Sequence, residues 1–305
     1  MMIQKLSRNF FSSLSNNKVL NRGAKRWGLK LGASKVVAGL TVESAIEKIK
    51  DLNDSGRMVT LDHLGEFVND AQEARESLRE GLHTLDVLHE HGVHCTLSVK
   101  LTKLGLDVDE ALCWQQISAL CERAAIYDNT INIDMEDYNH YGQTLDILRA
   151  LRKKYDNVGT VLQSYLHRSI EDTEQLAGVP LRIVKGAYKE SSTIAYQDKK
   201  DIDKNFVNMV QTHLLNESYA AIGTHDHEII AEIKAFTEKN HIPRDMFEFQ
   251  MLYGFRNDLQ QTLVDEGYRF RTYVPFGRDW YGYFMRRLAE RPQNVTFALR
   301  GMFSK

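Results

Sequence analysis

Charged and hydrogen-bonding side chains recur along this sequence just after short apolar runs: Asp62 with His63, Lys100, Asp134, Gln163, Arg182 with Lys185, Thr224 with His225 and Asp226, Gln250, and Tyr273. A charge next to packed apolar chain must be paired or solvated, so the repetition of this pattern from one run to the next predicts a shared polar site. Lys100 and Asp134 can form an ion pair that orients a cofactor or biases a substrate amine, although a purely structural salt bridge fits the pattern equally well. Near the end, GRDWYGYFMRRLAERPQN (277–294) brings Tyr283, Arg286, Arg287 and Glu290 within about two helical turns. Arg286 and Glu290 have the spacing of an ordinary helix-surface pair. Adjacent arginines point about 100° apart, so they meet one anion only by reaching around the helix; a carboxylate suits their paired donors. Asp62, His63, His225, Asp226 and His227 are of metal-ligating types, which leaves a metal-dependent barrel hydrolase as the alternative reading. Neither GxGxxG nor GxxxxGK[ST] occurs, so a nucleotide cofactor is expected at the mouth of the fold and not on a Rossmann or P-loop element.

The elements that must position these residues are eight short β-rich runs alternating with stretches of helical period, the pattern of a parallel sheet with crossover helices. The runs are Met58 to Leu61, Val93 to Val99, Thr130 to Asp134, Gly159 to Gln163, Leu181 to Lys185, Ala220 to Thr224, Phe247 to Met251 and Arg269 to Val274. Between the first two, Ala71, Ala74, Leu78, Leu82, Leu85 and Leu88 form one apolar stripe, with Asn69 as its expected N-cap. Gly92 and Gly267 stand where helices should stop, and Pro180, Pro243, Pro275 and Pro292 fall outside the predicted element interiors. Eight such units predict an α/β fold, a closed (β/α)8 barrel over residues 58–305 carrying its reacting groups at the carboxyl ends of the strands. Residues 1–57 are expected to form a helical extension packed on the barrel. The polar segment 189–201 reads as a loop or short helix of the kind that covers active sites.

The composition agrees with one such domain. The chain has 305 residues, 43% of them hydrophobic, and no run approaches the roughly 18 apolar residues of a membrane span, so a soluble protein is expected. A formal net charge of −2 offers no general attraction for nucleic acid. The charge is uneven: residues 1–42 contain eight Lys or Arg and no acid. Basic helices are the simpler reading of that arm, and a presequence has similar composition. Cys95, Cys113 and Cys121 form neither an even disulfide set nor a CxxC pair, which predicts buried free thiols.

The segment YVPFGRDWYGYFMRRLAERPQN (273–294) resembles the C-terminal signature of the proline dehydrogenase family. TLSVKLTKLGL (96–106), NIDMEDY (132–138), VLQSYL (161–166), LRIVKGAY (181–188), GTHD (223–226) and FEFQML (247–252) agree with that family in order. The resemblance spans residues 58–300, and the basic start is similar to that of short, monofunctional bacterial members. It implies a flavoenzyme that oxidises L-proline to 1-pyrroline-5-carboxylate, with hydride passing from proline C5 to N5 of FAD and the electrons going on to a quinone. Its expected location is cytoplasmic, peripheral on the inner membrane face. By resemblance, Lys100 and Asp134 form the ion pair at the site floor, Arg286 and Arg287 clamp the proline carboxylate, and Tyr188, Tyr273 and Tyr283 pack around the ring. Gln163, Arg182, Val184, Gly186, Ala187, Thr224, His225, Gln250 and Glu290 fall on the FAD-binding blocks. Lys189 departs from the members that carry tryptophan at that position.

Overall fold

The structure, a computed structural model, describes residues 36–65 and 67–280. Eight strands follow one another in a closed parallel barrel: β1 (Met58–His63), β2 (Cys95–Val99), β3 (Ile131–Ile133), β4 (Val158–Gln163), β5 (Leu181–Val184), β6 (Ala220–Gly223), β7 (Phe247–Leu252) and β8 (Phe270–Phe276). β8 pairs back onto β1, from Met58 beside Arg271 to His63 beside Phe276, so no strand keeps an open edge. After α1 (Val42–Asp54), the first helix among the described residues, the crossovers are α2 (Ala71–Glu90), α3 (Glu110–Ile126), α4 (Tyr138–Arg152), α5 (Ser169–Gln175), α6 (Lys199–Leu215), α7 (His227–Lys239) and α8 (Asn257–Asp265). The expected (β/α)8 barrel is therefore the observed fold, and every predicted run falls on a strand.

Alternate residues on a strand point to opposite faces, and here the two faces differ in chemistry. Leu97, Ile133, Leu162, Ile183, Ile222 and Phe249 join the apolar layer between strands and helices. Among their neighbours Ser98, Asn132, Asp134, Gln163, Arg182, Glu248 and Gln250 bring polar groups into the barrel. Bonds that skip over strands identify this interior: Arg182 Nη2 of β5 donates to Ser98 Oγ of β2 at 3.0 Å, and Arg271 Nη1 of β8 donates to Thr96 Oγ1 of β2 at 3.3 Å.

Among the described residues no crossover helix covers the seam between β8 and β1, and α1 packs there. Its apolar face, Val42, Ala45, Ile46, Ile49 and Leu52, packs with Val59 and Leu61 of β1 and Val274 and Phe276 of β8. A capping box of Thr41 and Ser44 starts the helix. Asp70, Asp109, Asp137, Asp198 and Asp226 cap α2, α3, α4, α6 and α7, each accepting backbone N–H groups of the first turn. The α2 cap is thus Asp70 and not Asn69, whose own N–H and side-chain amide donate to Glu73 Oε2 at 2.7 and 3.0 Å. Gly92 and Gly267 take φ of +61° and +80° after α2 and α8, the left-handed stop expected there.

One further reading changes. Pro275 lies inside β8, one residue from its end, where the missing N–H is tolerated and its carbonyl accepts from Ala38 N at 2.9 Å. Residues 189–198 run as the expected loop into α6, with Ala195 bridging Leu166, Tyr196 N donating to Tyr165 O at 2.7 Å and Glu190 accepting from Tyr138 N at 2.9 Å. Cys95, Cys113 and Cys121 are buried free thiols, with burial pushing each up to about 12.

His140 at the start of α4 joins two loops of the barrel mouth. Burial disfavours its charged form, but Asp107 and Asp137, at 2.9 and 2.6 Å from its ring nitrogens, outweigh this and raise its pKa. A raised folded-state pKa adds stability that is complete below the unfolded value of about 6.5 and is lost as pH rises through the folded value. Urea denaturation from about pH 6 to pH 9 should therefore show the wild type losing stability relative to His140→Gln. Parallel stability curves for the two proteins would rule the histidine out as the source.

Candidate active site

The carboxyl ends of the strands surround a cavity of ≈ 380 Å³. Its floor is organised by Asp134, placed one residue beyond β3. Oδ1 of this carboxylate accepts from Ser98 Oγ at 2.6 Å, from Asn132 Nδ2 at 3.3 Å and from Arg182 Nη2. Oδ2 accepts from the Tyr273 hydroxyl at 2.7 Å and from Lys100 Nζ at 3.4 Å. Burial alone would raise the Asp134 pKa, but Arg182 and Lys100 hold it below the usual carboxylate range. Burial and the neighbouring Asp134 charge push the Tyr273 phenol well above its ordinary value, so it stays protonated and donates. The Arg182 guanidinium also lies over the Tyr273 ring, 4.9 Å from its centroid.

Lys100 has a closer partner than Asp134. Its Nζ lies 2.8 Å from Asp62 Oδ1, on a carboxylate that is itself buried. The floor is thus two carboxylates interleaved with two cations. Asp62, read from the sequence as a metal-type ligand, serves here as a counter-ion. Ser98 and Asn132 were missed, although the signal was present: polar residues at alternate positions, Thr96–Ser98–Lys100 and Asn132–Asp134, define one face of each strand.

Every candidate assigned by the resemblance to proline or FAD that falls within the described residues borders this one cavity: Lys100, Asp134, Gln163, Arg182, Val184, Gly186, Ala187, Tyr188, Thr224, His225, Gln250 and Tyr273. Tyr283, Arg286, Arg287 and Glu290 lie outside the described residues. The wall after β5 depends on Gly186, whose φ of +109° excludes ordinary side chains and whose Cβ would collide with the Tyr165 ring. Gln163 is oriented by donating Nε2 to the Glu136 carbonyl at 2.9 Å. Two buried polar atoms of the lining have no hydrogen-bond partner: Arg182 Nη1 and Gln250 Oε1. Each such atom carries a desolvation cost that a bound group with matching polarity would relieve.

The metal-site alternative does not assemble. His63 Nδ1 is 3.0 Å from Glu80 and its ring stacks on Phe276, His225 Nε2 accepts from Leu252 N at 3.1 Å, and Asp226 is shared by Lys185 and Lys199 at 3.3 Å each. Among the described residues no group of three or more His, Cys, Asp or Glu converges on a metal position.

Removing one partner of a buried ionic cluster leaves the others uncompensated, at a typical cost of about 3–5 kcal/mol. Asp134→Ala, which strands Arg182 and Lys100 together, should lower the unfolding free energy by this amount in urea titrations. A loss under about 1 kcal/mol would mean that solvent already screens the cluster.

The family model for proline dehydrogenase matches residues 45–300. Proline dehydrogenase 1 of Bacillus subtilis (strain 168) is 45% identical over 300 residues, covering 98% of this chain and 99% of that protein. The proline dehydrogenase of Deinococcus radiodurans is 41% identical over 91% of each chain. Among solved structures, proline utilization A from Bdellovibrio bacteriovorus, inactivated by N-propargylglycine, superposes with a TM-score of 0.82 at 26% identity; the match covers 98% of this chain and 38% of that longer one. With a family match over most of its length and relatives above 40% identity on nearly all of it, this chain belongs to the proline dehydrogenase family, enzymes that oxidise proline in its breakdown.

Proposed function

We propose that the cavity at the barrel mouth binds FAD and L-proline together and oxidises proline to 1-pyrroline-5-carboxylate, with a quinone as final electron acceptor. One observation carries the reading: the twelve described candidates border a single cavity, and two of those assigned to the cofactor, Arg182 and Gln250, hold buried polar atoms without partners. The residues fit a flavin, whose heteroaromatic ring system bears both acceptors for a guanidinium N–H and donors for an amide oxygen. Gln163, Arg182, Val184, Gly186, Ala187, Thr224, His225 and Gln250 would hold it, with Glu290 added by resemblance. FAD, when bound, supplies the acceptor for the hydride lost from the ring carbon beside nitrogen.

The chain's own groups orient and polarise. Lys100, Asp134, Tyr188 and Tyr273 form the proline-facing side of the proposed site. Tyr273 acts there through its ring, because its hydroxyl is already committed to Asp134. Lys100 brings little unbalanced charge, since Asp62 and Asp134 both lie against it. A proline carboxylate therefore needs cations from elsewhere, the role assigned by resemblance to Arg286 and Arg287, with Tyr283 beside them. That guanidinium pair would also favour the neutral amine, the form whose lone pair assists loss of hydride.

The basic start of the chain supports contact with an anionic membrane surface, where a quinone acceptor would be met. Eight Lys or Arg in residues 1–42 are worth about 1 kcal/mol each when close to such a surface. Among the described residues no helix is long and apolar enough to cross a membrane.

The purified protein should show flavin absorption bands that bleach on anaerobic addition of L-proline but not of D-proline. Bands indifferent to every proline isomer would keep the cofactor and sink the substrate; no bands after reconstitution with FAD would sink both. Arg287→Met should raise KM for proline far more than it changes FAD content, and loss of flavin from this variant would reassign the residue to the cofactor.

A further inference from the structure

Below the cavity, inside the barrel, lies an ionic cluster that the reaction does not touch. Glu248 and Gln250 are two apart on β7 and share its inward face, with Glu248 one step deeper. Glu248 is 1% exposed, and its carboxylate is saturated with donors. Oε1 accepts from Arg271 Nε at 2.6 Å and from Gln250 Nε2 at 2.6 Å; Oε2 accepts from Arg271 Nη2 at 3.1 Å and from the Tyr219 hydroxyl at 2.7 Å. Arg271 is anchored in turn by the Val59 carbonyl at 2.9 Å. Burial alone would raise the Glu248 pKa, but the Arg271 charge beside it lowers it, so the carboxylate is an acceptor only.

A glutamine amide can present either its oxygen or its NH2 to a given neighbour, and the two orientations differ by a half-turn. Beside an ionised carboxylate only one is tolerable, since the other sets an oxygen against an oxygen. Glu248 therefore takes Nε2 of Gln250 and leaves Oε1, on a residue that lines the cavity, buried and without a partner. We propose that Glu248 is a positioning residue, held in place by Arg271, which locks the Gln250 amide so that the cavity offers a hydrogen-bond acceptor to an N–H or O–H donor of the bound flavin. The inference rests on the FAD reading above. It assigns Glu248 no contact with cofactor or substrate; its effect passes through Gln250.

The test is FAD affinity, measured by flavin fluorescence on titrating apoprotein, in a cycle that combines the ionic pair with Gln250. The double variant Glu248→Met with Arg271→Met removes the pair together, which avoids stranding either charge. Its FAD dissociation constant should rise about tenfold, the scale of one lost hydrogen bond. Gln250→Leu should weaken FAD by a similar factor, and adding the double substitution to Gln250→Leu should weaken it no further. The charge-exchanged pair Glu248→Arg with Arg271→Glu provides a second arm if the apolar pair fails to fold. It keeps the net charge but gives Gln250 donors to face, so the amide turns its NH2 toward the cavity and FAD again binds about tenfold less tightly. Equal weakening by the pair with and without Gln250, or wild-type affinity in the charge-exchanged protein, overturns the proposal while leaving the FAD reading intact. Failure of wild-type apoprotein to bind FAD overturns both.

Discussion

The floor of this barrel depends on one carboxylate being ionised where water scarcely reaches. Asp134 is tolerable there only because donors from several strands converge on it: Ser98 and Lys100 at the end of β2, Asn132 on β3, Arg182 on β5 and Tyr273 on β8. Each of those donors is equally dependent on the carboxylate, since a lysine or guanidinium in the same space would be costly unpaired. With Asp62 the charges balance, two negative and two positive. A closed parallel barrel is the scaffold that makes such a cluster possible, because it aims alternate side chains from every strand at one axis. What remains unpaired beside the cluster is a guanidinium nitrogen of Arg182 and, next to the neighbouring Glu248 group, an amide oxygen of Gln250.

The barrel was readable from the alternation of short β runs and helical stripes, and the strands appear where that alternation puts them. The pairing of Lys100 with Asp134 was also readable, since residues ending consecutive strands of a barrel are neighbours. The nearer partner, Asp62, was not. A carboxylate at a strand end looks the same in sequence whether it will hold a metal or a lysine, and only the distance across the barrel decides. Asn69, the expected cap of α2, gives way to its neighbour Asp70, whose carboxylate reaches two first-turn N–H groups. Within FEFQML the charge of Glu248 reads as an interruption of an apolar run, and its meaning emerges only with Arg271 on β8 and Tyr219 just before β6. Residue-level alternation carried more information than the run ends alone: Thr96, Ser98 and Lys100, like Glu248 with Gln250, mark a polar inward face on their strands.

α1 shows how the barrel closes without a crossover at its last seam. Each crossover helix covers the strands that it joins, but among the described residues β8 meets β1 without one, and both have apolar outer faces. The segment before β1 covers them. Its buried face and capping box make it part of the barrel's outer layer, so the segment that precedes the first strand completes the layer that the crossovers begin.

The polar interior has a consequence for how the chain finds its own alignment. Sliding one strand by a single residue exchanges its two faces, which in an apolar barrel would trade one hydrophobic side chain for another at modest loss. Here the same slip would turn Arg182 or Glu248 out among leucines and isoleucines and carry an aliphatic group into the ionic cluster. Both displaced charges would be buried and unmatched, so misaligned closures are far less stable than the native one. The charges inside the barrel thus also act as a checksum on assembly: a barrel closed out of register cannot present a working site, because it cannot comfortably exist.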